Sequence, residues 1–212
     1  VAVRHRAQRV HRRVEAVAGL VFATSNTAAP ALDAWLATLT PELARVPLDG
    51  LVFVRRRTFD VQANWKIYVE NYLEGYHVPA VHPGLNREID FRAYTTELGD
   101  RWTCQHAPMA AGSGADRVYR DGAQARYYWL HPNRMLNFYD GLLQTNIVEP
   151  VDVGHTRVHF DWYAPPGMDI SRQMAFSDQV QDEDAEICAS LQRNYRSLHF
   201  EPGPYSRQFE QG

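Results

Sequence analysis

Residues 64–83 read Asn64-Trp65-Lys66-Ile67-Tyr68-Val69-Glu70-Asn71-Tyr72-Leu73-Glu74-Gly75-Tyr76-His77-Val78-Pro79-Ala80-Val81-His82-Pro83. The part up to His77 has helical character, with Trp65, Tyr68, Tyr72 and Tyr76 along one side. On that helix Glu70, Glu74 and His77 fall at i, i+4 and i+7 and share a face. A continuous helix would set His82 about 140° from His77, too far round to share a metal. Pro79 removes the objection, because it disfavours helical backbone at Val78 and turns the chain. His77 is then expected in the last helical turn, with His82 swinging back from the loop and Pro83 fixing its exit. Two neutral imidazoles presented in this way suit a divalent transition metal.

A third ligand has to come from elsewhere, and the acidic cluster Gln181-Asp182-Glu183-Asp184 offers it. One carboxylate from that cluster completes a two-histidine, one-carboxylate triad with open positions for dioxygen and substrate. Structural zinc normally closes four positions with Cys and His instead. Plainer readings compete. Two histidines five apart recur by chance, an acidic cluster is often a solvated helix face, and Glu70 can simply pair with Lys66. The histidines, the proline break and the cluster together favour a metal. A zinc hydrolase is the weaker metal reading, since no HExxH stretch is present.

Working outward, Gly19–Ala23 is a short apolar run read as a buried strand, and Ala31–Leu39 an amphipathic helix bracketed by Pro30 and Pro41. Leu51–Phe59 is strand-like. Alternation between turn signals predicts strands over Phe91–Glu97, Arg101–Ala107, Ala125–Leu130, Met135–Tyr139, Thr145–Val148 and Val158–Tyr163. Gly112-Ser113-Gly114 and Asp121-Gly122 mark loops. After Pro165-Pro166-Gly167 a long helix is expected from Asp169 to Leu198, buried along Phe176, Val180, Ile187, Leu191 and Tyr195. The order strand, helix, meander, long helix predicts an α+β domain whose antiparallel sheet curls around the last helix.

Of the 212 residues, 45% are hydrophobic, with 11 Tyr, 9 Phe and 5 Trp, enough for a core and an aromatic-lined cavity. A net charge of −3 favours neither disorder nor nucleic-acid binding, and the basic residues 1–13 read as a solvated tail. Cys104 and Cys188 form no CxxC pair, so a disulfide framework and a cysteine-held cluster lack support. With no apolar run of membrane-spanning length and no signal-peptide core, a cytoplasmic chain is expected, with no membrane partner.

Asn64-Trp65-Lys66, Glu70-Asn71, Glu74, Tyr76-His77 and His82-Pro83 closely resemble the iron-site motif of Rieske oxygenase alpha subunits. Gly19-Leu20-Val21-Phe22 resembles the segment after the Rieske domain. Tyr128-Trp129-Leu130-His131-Pro132-Asn133 and Asn137 resemble the branch containing choline and glycine-betaine monooxygenases. Gln179-Val180-Gln181, Glu183-Asp184, Leu191-Gln192-Arg193, Glu201-Pro202-Gly203 and Ser206 resemble the family's C-terminal helix and the segment after it, so the likeness covers roughly residues 14–212.

The resemblance implies a helix-grip fold and a division into a linker remnant, residues 1–50, and an iron-binding catalytic domain, residues 51–212. It implies Fe(II) held by His77, His82 and Asp184, with Glu183 as the one-residue register alternative. Glu74 would connect the iron to a neighbouring subunit's Rieske cluster, and Asn71 would lie close to the metal as a weak ligand or a support for one. Tyr72, Tyr127, Trp129, Asn133, Asn137 and Tyr139 are the candidate pocket residues, whose rings would hold a quaternary ammonium by cation–π attraction or pack as core.

The departure from the family pattern is as specific. No CxH and CxxH pair for a [2Fe–2S] cluster occurs, and His5 and His11 have no cysteine partners. Electrons would come from a missing Rieske domain or a separate donor, and a homotrimeric assembly is a further family implication. The expected activity is hydroxylation or oxidative demethylation of a small organic substrate with dioxygen. Aromatic-ring dihydroxylation and an unpowered helix-grip binding module are the alternatives.

Overall fold

The computed structural model describes residues 12–17, 19–43, 48, 50–112, 117–119, 123–139, 141–207 and 210–212. The basic tail as far as His11, with His5, and parts of the two expected loops at 112–114 and 121–122 lie outside the described residues. The chain divides into two compact units, Val1–Leu48 and Asp49–Gly212.

In the first unit β1 (Arg13–Val17) and β2 (Leu20–Thr24) form an antiparallel hairpin. The apolar run read as a buried strand is a strand, but it alternates between half-buried and exposed, and Val21 stands out in solvent. In its own sheet β2 pairs with β1 alone, and a two-stranded ribbon cannot enclose both faces of a strand. The expected helix over Ala31–Leu39 is likewise divided. Only α1 (Leu32–Trp35) is helical, a turn follows, and α2 (Thr40–Leu43) begins with Pro41 inside its first turn. Proline is tolerated there because no intrahelical N–H is needed.

The second unit is a seven-stranded antiparallel sheet in the order β3-β9-β8-β7-β6-β5-β4. Its strands are β3 (Val52–Val61), β4 (Thr95–Leu98), β5 (Trp102–Pro108), β6 (Gln124–Leu130), β7 (Arg134–Tyr139), β8 (Leu142–Asp152) and β9 (His155–Ala164). Between β3 and β4 lie α3 (Trp65–Leu73), α4 (Val78–Val81), α5 (Pro83–Glu88) and a 3-10 turn, Phe91–Ala93. The long helix α6 (Ser171–Tyr195) closes the fold.

Ala185, Ile187 and Cys188 of α6 pack with Ile67 and Val69 of α3 on Val61, Met135, Val148, Val158 and Phe160. Met174 packs with Ile170 on Leu142, Trp162 and Ala164. The helix therefore crosses the sheet, which is the helix-grip arrangement. Each fully buried aliphatic side chain in that contact stabilises by about 1.5–3 kcal/mol relative to exposure.

Three expected elements are corrected. Phe91–Glu97 opens as the 3-10 turn, capped by Asp90, and is a strand only from Thr95. On α6 the inward residues are Met174, Ser177, Gln181, Cys188 and Gln192, while Leu191 and Tyr195 are exposed. Three of the five inward side chains are polar, which is why an apolar stripe did not reveal this face.

The third correction is to α3, which stops at Leu73 instead of continuing to His77. Glu74 is extended, with φ −118° and ψ 153°. Gly75 comes next, buried so close to Tyr94 that a Cβ would meet its ring at 2.7 Å. Glu70 is exposed and shares no helix face with Glu74 and His77.

Candidate metal centre

The centre is assembled on two short helices and one long one. His77 caps the N-terminus of α4 with φ −72° and ψ −23°, and Pro79 sits in the first turn of that helix. Proline thus starts a helix after His77 instead of turning the chain into a loop, because the first turn needs no N–H from it. His82, with φ −115° and ψ 73°, ends α4 and precedes Pro83 at the start of α5. The two histidines occupy the ends of a single helical turn. The non-helical backbone at His82 folds its ring back towards His77.

Their Nε2 atoms lie 3.1 Å apart. Asp184 Oδ1, from the inward face of α6, lies 3.0 Å from His82 Nε2 and 3.6 Å from His77 Nε2. Ligands about 2.1 Å from a metal and at right angles to one another stand about 3.0 Å apart, so this triangle is the size of one face of a coordination sphere.

The outer atoms of both rings are occupied. His77 Nδ1 meets Glu74 Oε1 at 2.6 Å, and His82 Nδ1 meets Glu183 Oε2 at 2.6 Å. Carboxylates accept, so each contact assigns the proton to Nδ1 and leaves the Nε2 lone pair facing inward. Two lone pairs and a carboxylate oxygen converging at these distances repel one another unless a cation lies among them.

The donor set, two imidazole nitrogens and one carboxylate with three carboxylates in all around it, fits divalent iron. The electrostatics agree. Burial by itself would lower the His82 pKa, but Asp184 and Glu183 outweigh it and raise it above the ordinary value. The position between them favours positive charge.

Supports extend outward. Asn71 Nδ2 donates to Asp184 Oδ1 at 2.6 Å, and Gln179 Nε2 donates to Glu183 Oε1 at 3.0 Å. His82 is 1% exposed, which keeps bulk water from its ring.

The same groups open into a cavity of about 110 Å³. Of the expected pocket residues, Tyr72, Tyr127, Asn137 and Tyr139 line it. Trp129 and Asn133 do not. Trp129 packs with the core under α3 and its ring stands edge-on to His131, whereas Asn133 Nδ2 donates to Val148 O in a turn.

Sequence reasoning missed Tyr119, Phe176, Gln144 and Asn146, which line the cavity as well. Gln144 and Asn146 left a signal, being amides two apart on a strand, flanked by Leu142-Leu143 on one side and Ile147-Val148 on the other. Tyr119 stacks on Tyr139 with centroids 5.0 Å apart, and Tyr127 meets Tyr139 edge-on at 5.9 Å. Burial pushes the phenols of Tyr72, Tyr119, Tyr127 and Tyr139 well above their usual pKa, so these walls stay uncharged.

Residues 48–212 match the family described as "Ring hydroxylating alpha subunit (catalytic domain)". Choline monooxygenase of Arabidopsis thaliana, a chloroplastic protein, is 34% identical over 179 residues, covering 81% of this chain and 42% of the relative. The carnitine monooxygenase oxygenase subunit of Escherichia coli K12 is 28% identical over 202 residues, covering 91% of this chain and 54% of the relative. The chain thus spans about half the length of the curated relatives it matches.

A solved quaternary ammonium Rieske monooxygenase, described with insights into inter-subunit electron transfer, superposes with a TM-score of 0.79 at 22% identity. That match covers 94% of this chain and 55% of the other. Naphthalene 1,2-dioxygenase from Rhodococcus superposes with a TM-score of 0.66 at 15% identity, covering 85% of this chain and 53% of the other. At those identities the likeness is one of fold.

Proposed function

Because this chain belongs to the family of ring-hydroxylating alpha subunits, through their catalytic domain, we propose that it is the Fe(II)-binding domain of a non-haem oxygenase that hydroxylates or oxidatively demethylates a small quaternary amine. The observation that carries the reading is the triangle of His77 Nε2, His82 Nε2 and Asp184 Oδ1, with a carboxylate behind each imidazole. The likeness to choline and carnitine monooxygenases supports the substrate class. The uncharged tyrosine walls support it independently, since stacked rings attract an organic cation.

Iron, when bound, supplies dioxygen activation and accepts the incoming electrons. The protein supplies the rest. Glu74 and Glu183 hold the Nδ1 protons of His77 and His82, which orients the rings and strengthens them as donors. Asn71 holds Asp184 Oδ1 and leaves it no freedom to rotate away. The tyrosines and Phe176 exclude water from the substrate and fix its position relative to the metal.

Glu74 is 12% exposed at its side chain and accepts from His77 Nδ1, so it is the proposed entry point for electrons. Those electrons would come from a Rieske cluster on another domain or chain, with delivery across subunits in a homotrimer. Residues 1–50 are proposed as the linker towards such a domain. Both cysteines are buried and outside any disulfide, which supports a reducing compartment such as the cytoplasm. No helix among the described residues is long and apolar enough to cross a membrane.

Anaerobic ferrous loading tests the reading. Wild type should retain about one iron per chain at a site of this ligand number, and His77→Ala and Asp184→Ala should retain none. Iron retained undiminished in Asp184→Ala would remove that residue from the ligand set.

A further inference from the structure

Two buried polar atoms on the cavity wall have no partner. The Tyr68 hydroxyl donates to Gln181 Oε1 at 2.5 Å, which fixes the amide and leaves Gln181 Nε2 without an acceptor. Asn146 Nδ2 reaches only the Met135 sulfur at 3.9 Å, and Asn146 Oδ1 accepts nothing. Gln181 is 1% exposed and Asn146 2%, so bulk water does not satisfy them. Orphaned groups at such depth are costly and call for an explanation. The neighbouring amides are already paired, Asn137 Nδ2 with Gln144 Oε1 and Gln144 Nε2 with Ser177 Oγ. One donor and one acceptor therefore remain for a ligand.

Their position and the charge around them narrow its chemistry. Gln181 lies three residues before Asp184 on α6, about 4.5 Å along the axis, whereas Phe176 lies eight before it, about 12 Å. Phe176 stands edge-on to Tyr119, which stacks on Tyr139. The amide is thus at the metal end of the cavity, and the aromatic cage is farther off. Among the described residues that line the cavity none is Lys or Arg, and the only carboxylates are Glu74 and Asp184.

We propose that Gln181 and Asn146 are specificity-determining residues that read a neutral hydroxyl at the metal end of a small cation whose ammonium group rests against Tyr119, Tyr139 and Phe176. This rests on the quaternary-amine reading and deepens it. A hydroxyl donates a hydrogen bond to Asn146 Oδ1 and accepts one from Gln181 Nε2, using both orphaned atoms at once. A carboxylate at the same place accepts from Gln181 Nε2 but meets the Asn146 oxygen with no proton to give it, and no Lys or Arg among the described lining residues pairs with its charge. The cavity therefore selects a hydroxylated quaternary amine over a carboxylated one.

Calorimetric titration of the full chain tests this with four probes: choline, its uncharged isostere dimethylbutanol, gamma-butyrobetaine and tetramethylammonium. Choline should bind about tenfold or more tighter than gamma-butyrobetaine. Gln181→Leu and Asn146→Leu should each weaken choline about tenfold while leaving tetramethylammonium unchanged. Gln181→Leu also orphans the Tyr68 hydroxyl, so Asn146→Leu, which loses only the sulfur contact, carries the test if the first variant melts early.

Gamma-butyrobetaine binding as tightly as choline would overturn the proposal, as would equal losses for choline and tetramethylammonium in the variants. Dimethylbutanol binding as tightly as choline would sink the quaternary-amine reading alone. The leucine variants would then still test the hydroxyl contact on dimethylbutanol. Absence of binding by every probe to the folded chain would overturn both.

Discussion

Two neighbouring parts of one cavity treat polar groups in opposite ways. Around Asp184 the outer nitrogens and carboxylates are engaged: Glu74 on His77, Glu183 on His82, Asn71 on Asp184 and Gln179 on Glu183. One turn earlier on the same helix, Gln181 keeps a free amide donor, and Asn146 on β8 keeps a free acceptor in the same cavity. The first region is wired to hold three atoms at fixed separations, which suits the proposed cation. The second leaves hydrogen-bonding capacity unspent, which is what a wall does when a ligand completes it. A metal needs geometry supplied in advance, whereas an organic ligand can bring half of its own bonds.

The largest expected effect falls on the wired end. Asp184→Asn keeps the shape and the Asn71 contact but removes the charge, and iron affinity should drop by about a hundredfold or more, read by competition with a chelator. Undiminished affinity would show that the triangle is a hydrogen-bonded cluster and not a ligand set.

Next come the two carboxylates behind the rings. Glu183→Ala should cost about ten- to a hundredfold in iron affinity, because buried His82 loses the group that orients it. Glu74→Gln should retain iron, since an amide oxygen still accepts from Nδ1, yet slow electron transfer from a supplied Rieske donor. Equal losses of iron in both variants would erase the proposed division between holding and delivering.

At the aromatic end Tyr139→Leu should weaken tetramethylammonium by about tenfold through the loss of its ring face, measured by titration. The smallest effect is expected at Trp129→Phe. The indole lies outside the cavity and its N–H has no partner, so probe binding should move by less than about twofold. A large loss there would return Trp129 to the pocket.

Much of the fold was legible because strands and helices report their own periodicity. The meander from Trp102 to Ala164 and the long C-terminal helix follow the alternation and helical spacing read from the chain, with ends moved by a few residues. Where reading failed, a neighbour distant in sequence decided. The helix expected to reach His77 ends at Leu73, and Gly75 beyond it accommodates the close approach of Tyr94. The buried face of α6 was misjudged because it carries Ser177, Gln181 and Gln192, whose polar groups are inward only because the fold supplies partners such as Tyr68 and Asn64.

The sequence by itself determined that two imidazoles, five residues apart and separated by a proline, would be offered together, and that an acidic cluster lay on a late helix to meet them. Backbone restriction acts locally, so it is written in adjacent residues. Only the tertiary structure decided which oxygen closes the triangle. It also put Glu183 behind a ring, left Trp129 and Asn133 out of the cavity, and kept two amide atoms unspent inside it. Those outcomes depend on contacts closed across more than a hundred residues, between His82 and Glu183 and between Tyr68 and Gln181. Such contacts are set by the packing of α3, α4 and α6 against one sheet, and no local pattern encodes them.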